Sequence, residues 1–116
     1  MHKLVILIEQ QEDWTYFESQ WPDFLHLAES MPGVKREATS RVERLLYGEC
    51  HGVLVHEIFF DTLIEAETAL ASPAGQAAGR LIQQITGGRM TIFFADHKED
   101  EIANIRKYRQ PDESAE

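Results

Sequence analysis

A predicted strand that runs directly into a predicted helix constrains the fold of this chain most. Residues 53–60 are rich in β-branched and aromatic side chains, a composition typical of a β-strand. Only Asp61 separates this strand from Thr62, and Glu65 stands three positions after Thr62. That spacing predicts a capping box, in which the threonine hydroxyl accepts a backbone N–H and the glutamate bonds back to the cap. We therefore expect a tight strand-to-helix junction at Asp61.

The segments before this junction predict a strand, a helix and a second strand. Residues 4–8 are continuously aliphatic, which indicates a strand buried on both faces. Thr15 and Glu18 have the capping-box spacing, so we expect the first helix to begin at Thr15. Pro22 then either begins the main helix or kinks it. Residues 34–46 alternate loosely and predict a long second strand, wet on one side and bulged near its middle.

The segments after the junction predict another helix and a last strand. Ser72 and Pro73 break the helix that begins at Thr62. Ser72 can then cap a further helix with Pro73 at its first position, where a missing N–H costs nothing. Residues 90–95 are again apolar and predict the fourth strand.

The predicted elements follow the order strand, helix, strand, strand, helix, strand. This is the α+β, ferredoxin-like βαββαβ arrangement, in which a four-stranded antiparallel sheet carries its helices on one face. Both alternating sets of side chains in strands one, three and four are apolar. Because the helices can cover only one apolar face, we expect a second copy of the sheet to cover the other. The sequence thus predicts a homodimer.

The length of the chain, 116 residues, suits one domain. We assign residues 1–96 to that domain and residues 97–116 to a charged C-terminal extension. Within the extension, Ile102, Ile105 and Tyr108 are spaced as in a short amphipathic helix.

Charge and hydropathy exclude two classes of partner. A net charge of −9 argues against nucleic-acid binding, because phosphate contacts need an excess of Lys and Arg. No apolar run has the length of a membrane span, and the N-terminal run is too short for a signal peptide. We therefore expect a cytoplasmic protein without a membrane partner. The single cysteine, Cys50, cannot form an internal disulfide.

Several short segments together resemble the ethyl tert-butyl ether degradation (EthD) family. Phe60 and Asp61 precede a helix, and Ala-Ser-Pro-Ala-Gly-Gln-Ala-Ala follows at residues 71–78. Gly-Gly stands at residues 87–88 before a strand, and Met-Pro-Gly at residues 31–33 is similar to that family's Leu-Pro-Gly. The resemblance covers roughly residues 3–95.

The resemblance implies a dimeric α+β barrel, in which two ferredoxin-like sheets pack face to face around a cleft. Proteins on the same barrel include small monooxygenases, haem-degrading proteins, polyketide cyclases and dehydratases. Many EthD-like sequences also carry a His-x-Pro motif in the first helix. Here the matching region has no such proline, and its histidine, His26, is displaced by one or two positions.

His56 and Glu57 are the candidate acid–base residues. Neighbouring residues of a strand point to opposite faces, so one of the two lines the cleft between the sheets. A neutral histidine there could act as a general acid or base near neutral pH. The alternative is a core histidine or glutamate that is satisfied by one hydrogen bond.

Four further residues are candidates for ligand binding. Arg41 could bind a carboxylate, although a solvated strand face or a dimer salt bridge would also account for it. Tyr16 and Trp21, which cluster with Trp14 at the first helix, could form the wall of a pocket for a flat apolar ligand, and the alternative is ordinary core packing. Phe59 is the fourth candidate for contact with a ligand. The histidine spacing predicts no metal site, and the glycines form no phosphate loop, so we expect no cofactor.

Two functional readings follow from the residues and the resemblance. The first is cofactor-independent acid–base or oxidative chemistry on a small organic molecule in catabolism. The second is a non-catalytic dimer that binds a small ligand or serves a structural role.

Overall fold

Four strands and three helices follow one another in the computed structural model, which describes residues 1–103. They are β1 (His2–Glu9), α1 (Trp14–Glu29), β2 (Arg36–Arg41), β3 (Gly52–Phe60), α2 (Leu63–Ala71), α3 (Pro73–Thr86) and β4 (Met90–Asp96). The sheet has the order β2-β3-β1-β4, and every neighbouring pair is antiparallel. This arrangement confirms the predicted α+β, ferredoxin-like fold. Ile105 and Tyr108, in the predicted C-terminal helix, lie outside the described residues.

The helices cover one face of the sheet and leave the other open. Leu4, Ile6 and Ile8 alternate along β1 and join a buried core with Phe17 and Phe24 of α1. We call this side of the sheet the helix face. The residues between them on β1 point to the opposite side, which we call the open face. Both sides of the central strands carry apolar side chains, as is typical of a sheet whose two faces are both covered.

The hydroxyl caps of the two helix starts after β3 form as the sequence predicts. The Thr62 hydroxyl accepts a hydrogen bond from the Glu65 N–H, with 3.1 Å between oxygen and nitrogen. The Ser72 hydroxyl accepts one from the Gly75 N–H at the same distance. Pro73 occupies the first turn of α3, where its ring fits without loss of a hydrogen bond. These caps fix the short connections that bring α2 and α3 back onto the sheet.

The start of α1 differs from the prediction. Asp13 is the N-cap, and its carboxylate accepts a hydrogen bond from the Tyr16 N–H at 3.0 Å. The predicted helix start and capping box at Thr15 are therefore wrong, because Thr15 lies inside the first turn of a helix that Asp13 caps. Pro22 lies inside one helix, so the alternative in which the main helix begins at Pro22 is also wrong. Buried Phe17 and Phe24 hold the two sides of Pro22 in a single element.

The second strand is shorter and more regular than predicted. β2 pairs with β3 at every position, so the predicted bulge is absent from the strand. Beyond it, the Val42 N–H still bonds to the Val53 carbonyl oxygen, but residues 43–51 form no helix or strand. The exposed fraction of Tyr47 reaches 96%. Without a partner strand or a buried face, this segment gains nothing from an extended ladder.

None of the helices within residues 1–103 has the length and apolar character needed to cross a bilayer.

Candidate functional site

The sheet separates the six predicted site residues onto two faces. His56 packs against Trp21 on the helix face, with 5.2 Å between ring centroids. Glu57 and Phe59 follow the opposite pleat of β3 and lie on the open face. The structure therefore brings together His56 and Trp21, and separately Glu57 and Phe59.

His56 is held by two polar side chains of the neighbouring strand. Its Nδ1 lies 2.8 Å from Oγ1 of Thr39, and its Nε2 lies 2.8 Å from Oε1 of Glu37. Thr39 is the residue directly opposite His56 in the ladder, and Glu37 stands two positions away on the same face. Residues at this spacing lie side by side on a pleated sheet, which places both partners around one imidazole ring. We call this set the β2–β3 relay.

The aromatic side chains of α1 cover the relay from above. Trp21 and Phe24 both meet the His56 ring edge-on, and the two aromatic rings stack on each other with centroids 5.1 Å apart. Only 1% of His56 is exposed. Such an apolar surrounding strengthens hydrogen bonds, because water does not compete for the donors and acceptors.

The relay connects a sheltered carboxylate to the hydroxyl of Thr39, a residue at the surface. An ionised carboxylate only accepts hydrogen bonds, so Glu37 takes its bond from a protonated Nε2. In the neutral ring Nδ1 then carries the lone pair, and it accepts the hydrogen bond of the Thr39 hydroxyl. Thr39 is an exposed residue, whereas the exposed fraction of the Glu37 side chain is only 16%. A histidine oriented by a carboxylate and hydrogen-bonded to a hydroxyl has the arrangement of a general base.

Arg41 lies on the helix face of the same strand, two residues beyond Thr39. Alternate strand residues are about 7 Å apart, so its guanidinium can approach a ligand that touches the Thr39 hydroxyl. Arg41 is exposed, and it makes no ion pair within residues 1–103. A cation without a local partner is free to bind an anionic group.

Tyr16 lies apart from the relay. Its hydroxyl accepts a hydrogen bond from Nε2 of Gln84 on α3. It lines a hollow of about 220 Å³ whose other residues come from the loop after β1 and the end of α3. Tyr16 and Trp21 therefore do not form one pocket wall, although both belong to α1.

Charged groups surround Glu57 and Phe59 on the open face. Glu57 forms an ion pair with Lys3 of β1, and both side chains are largely buried. The guanidinium of Arg36 lies 4.0 Å from the centroid of the Phe59 ring, and the His97 ring meets that ring edge-on at 4.9 Å. Phe59 is thus covered within its own chain and does not present a free wall to a ligand.

The sequence interpretation did not include Glu37 and Thr39. The available signal was a pair of polar residues at alternate positions of a strand expected to lie near His56. Using it requires the exact pairing of β2 with β3, which the sequence does not give. For metals, residues 1–103 contain no group of three or more His, Cys, Asp or Glu placed to hold an ion.

Comparisons with known proteins agree with this architecture. No family model matches the chain. A curated relative, an uncharacterised 11.0 kDa protein of the thcB–thcC intergenic region of Rhodococcus erythropolis, is 25% identical over 99 residues. The match covers 84% of this chain and 96% of the relative.

Solved structures share the fold over most of their length. An EthD family protein from Bacillus halodurans superposes with a TM-score of 0.77 at 24% identity, covering 84% of this chain and 99% of that chain. A dimeric ferredoxin-like protein of unknown function from Jannaschia gives 0.65 at 10% identity, with 83% and 98% covered. SnoaB, a cofactor-independent oxygenase from Streptomyces nogalater, gives 0.63 at 13% identity, with 87% and 96% covered. The resemblance to the EthD family is thus confirmed at the level of the fold.

Proposed function

We propose that this protein is a homodimeric α+β barrel that binds a small organic molecule and moves protons on it without a cofactor. His56 is the base, Thr39 and Glu37 orient it, and Trp21 and Arg41 contact the ligand. The observation that carries the proposal is the β2–β3 relay, in which a buried histidine joins a sheltered carboxylate to the hydroxyl of Thr39, a residue at the surface. The setting that we propose is cytoplasmic catabolism.

The proposed dimer interface is the open face of the sheet. Val5, Leu7, Val55 and Phe93 point to this side by the alternation of their strands. Of Phe93, 42% is exposed within the single chain. A stable interface buries about 800 Å² on each partner, and an apolar sheet face supplies surface of that kind. The description of the Jannaschia neighbour as dimeric supports the same assembly.

A charge on the open face tests the dimer. We expect Phe93→Glu to sediment as a monomer, because two carboxylates would face each other in a desolvated interface. Ile64→Glu is the matched control, since Ile64 lies on α2 and is 75% exposed. The control should sediment like the wild type. If Phe93→Glu sediments with the same mass as the wild-type assembly, the open face is not the interface.

Within this dimer Glu57 has a structural role. Its ion pair with Lys3 satisfies both charges as the second sheet covers them. Glu57 is therefore not the proposed base, although the sequence offers it equally with His56. The His56 ring is the proposed base because its relay ends at Thr39, an exposed residue on the helix face.

Proton abstraction can be measured without knowledge of the product. The protein is incubated in D₂O with a panel of small carbonyl compounds, half of them carboxylates, and loss of the proton next to the carbonyl is followed by ¹H NMR. We expect exchange above the buffer rate with carboxylates that Arg41 can hold. His56→Gln should abolish it, whereas His26→Gln should not, because His26 is an exposed residue of α1. Exchange that survives His56→Gln, or no exchange by the wild type with any compound, would contradict the proposal.

The second candidate function is a non-catalytic ligand-binding or structural dimer. The observation that favours it is that both nitrogens of His56 are hydrogen-bonded while almost none of the ring is exposed. In that case His56→Gln weakens folding but leaves ligand-dependent thermal shifts in place. The same exchange assay separates the two functions, since a structural histidine gives no exchange.

A further inference from the structure

We propose that Thr39 is a nucleophile, and that the β2–β3 relay transfers acyl groups from small esters or thioesters that carry an anionic group. This inference rests on the proposed role of His56 as a base. It adds a covalent step and a substrate class to that role.

The geometry contains the three parts of a nucleophilic centre. A hydroxyl needs a base within about 2.6–3.2 Å, and a third group must orient that base. Thr39 Oγ1 lies 2.8 Å from His56 Nδ1, and Glu37 Oε1 lies 2.8 Å from Nε2. The hydroxyl and the carboxylate bond to different nitrogens of the ring. The imidazole can therefore take a proton from the hydroxyl at one nitrogen while the carboxylate at the other stabilises the resulting charge.

The contact with His56 distinguishes Thr39 from the neighbouring hydroxyl of Ser40. Thr39 and Ser40 are both exposed residues of β2, but they point to opposite faces. Thr39 meets the buried His56 ring on the helix face, whereas Ser40 pairs with Val55 and lies on the open face. The chain thus supplies, one residue away, a hydroxyl in the same strand that lacks the base.

The substrate class follows from the groups around the hydroxyl. Trp21 places an aromatic side chain over His56, and Arg41, which has no ion pair among the described residues 1–103, lies two strand residues from Thr39. An aromatic surface and a guanidinium are the groups that would recognise a flat, apolar body with a carboxylate at one end. Aryl or alkyl esters and thioesters of that shape are the proposed substrates.

The chemical step balances with water as the only co-reactant. As Thr39 Oγ1 attacks the carbonyl carbon, its proton passes to His56 Nδ1, and Glu37 stabilises the resulting imidazolium. The bond to the leaving group then breaks, and the imidazolium proton passes to the leaving oxygen or sulfur. Water attacks the acyl-threonine ester in the same way, which releases the acid and restores the Thr39 hydroxyl.

The probe is 4-acetoxybenzoate, with its neutral methyl ester as the matched comparison. Incubation with the full-length protein should release 4-hydroxybenzoate in an initial burst and add the mass of one acetyl group to the peptide that contains Thr39. Thr39→Ser should keep the adduct, and Thr39→Val and His56→Gln should lose it. Ser40→Ala should behave as the wild type. Arg41→Gln should raise KM for the anionic ester and leave the methyl ester unchanged.

The outcomes separate this inference from the proposed function. An adduct that persists in Thr39→Val, or that maps to Ser40 or to lysine side chains, overturns the nucleophile. If no acetyl adduct or burst forms while His56-dependent proton exchange persists, the nucleophile is overturned and the base remains. If the wild type shows neither the burst nor the exchange, both proposals fall together.

Discussion

Removal of the Glu37 carboxylate is the perturbation whose effect on stability follows most directly from the structure. In Glu37→Leu the Nε2–H of His56 loses its acceptor, and water does not replace it because only 1% of His56 is exposed. A buried polar group left without a partner costs about 1–3 kcal/mol. We therefore expect Glu37→Leu to lower the free energy of unfolding by about 2 kcal/mol.

A double-mutant cycle shows whether that loss comes from His56. His56→Phe removes both ring nitrogens, so in the double variant Glu37→Leu strands no donor. The effect of Glu37→Leu should then shrink by about 1–2 kcal/mol, which is a coupling energy typical of residues in contact. Urea unfolding followed by tryptophan fluorescence measures all four proteins, because Trp21 touches the His56 ring. One protomer concentration must be used throughout, since dimer stability depends on it. Effects that add to within about 0.3 kcal/mol would refute the buried hydrogen bond.

Further predictions concern two glycines and one exposed carboxylate. A Cβ at Gly75 would lie 2.1 Å from the Ala69 carbonyl oxygen, so Gly75→Ala should destabilise the protein strongly in thermal melts. Gly79 has open space around it, so Gly79→Ala should stabilise the protein by about 0.5–1 kcal/mol. Equal melting temperatures of the two variants would refute the close packing of α2 and α3. The hydrogen bond from Arg89 holds the pKa of Glu12 below its ordinary 4.5. The lowered pKa stabilises the folded state above pH 4.5, and this stabilisation is lost as the pH falls through the folded-state pKa. Arg89→Gln should raise the Glu12 midpoint in an NMR titration, and an unchanged midpoint would contradict the contact.

Local signals were sufficient to predict the second half of the fold. The junction at Thr62 and the helix restart at Ser72 depend on side chains that bond within their own turn, so the sequence contains all the necessary information. The start of α1 was mispredicted because Asp13, which the sequence analysis did not consider, is also a residue type that caps helices and lies two positions before Thr15. The end of β2 was mispredicted because a strand ends where its partner ends, and β3 begins only at Gly52.

The candidate site could be predicted only in part, for a related reason. Alternation along β3 placed His56 and Glu57 on opposite faces, as the structure shows. It could not say which face carries the helices, because both sets of neighbouring side chains are apolar. The partners of His56 come from β2, and Thr39 faces it only by virtue of the register between the two strands. That register is a tertiary property, so no local pattern at residues 37–39 reveals it.

The tautomer of His56 tests the relay most directly. A ¹⁵N-detected histidine spectrum of the labelled protein near neutral pH distinguishes a protonated ring nitrogen from one that carries a lone pair. The relay predicts a neutral His56 with the proton on Nε2, donated to Glu37, and the lone pair on Nδ1, ready to accept the Thr39 hydroxyl proton. A ring with its proton on Nδ1 would donate to Thr39 instead, and neither the base nor the nucleophile proposed here could then act.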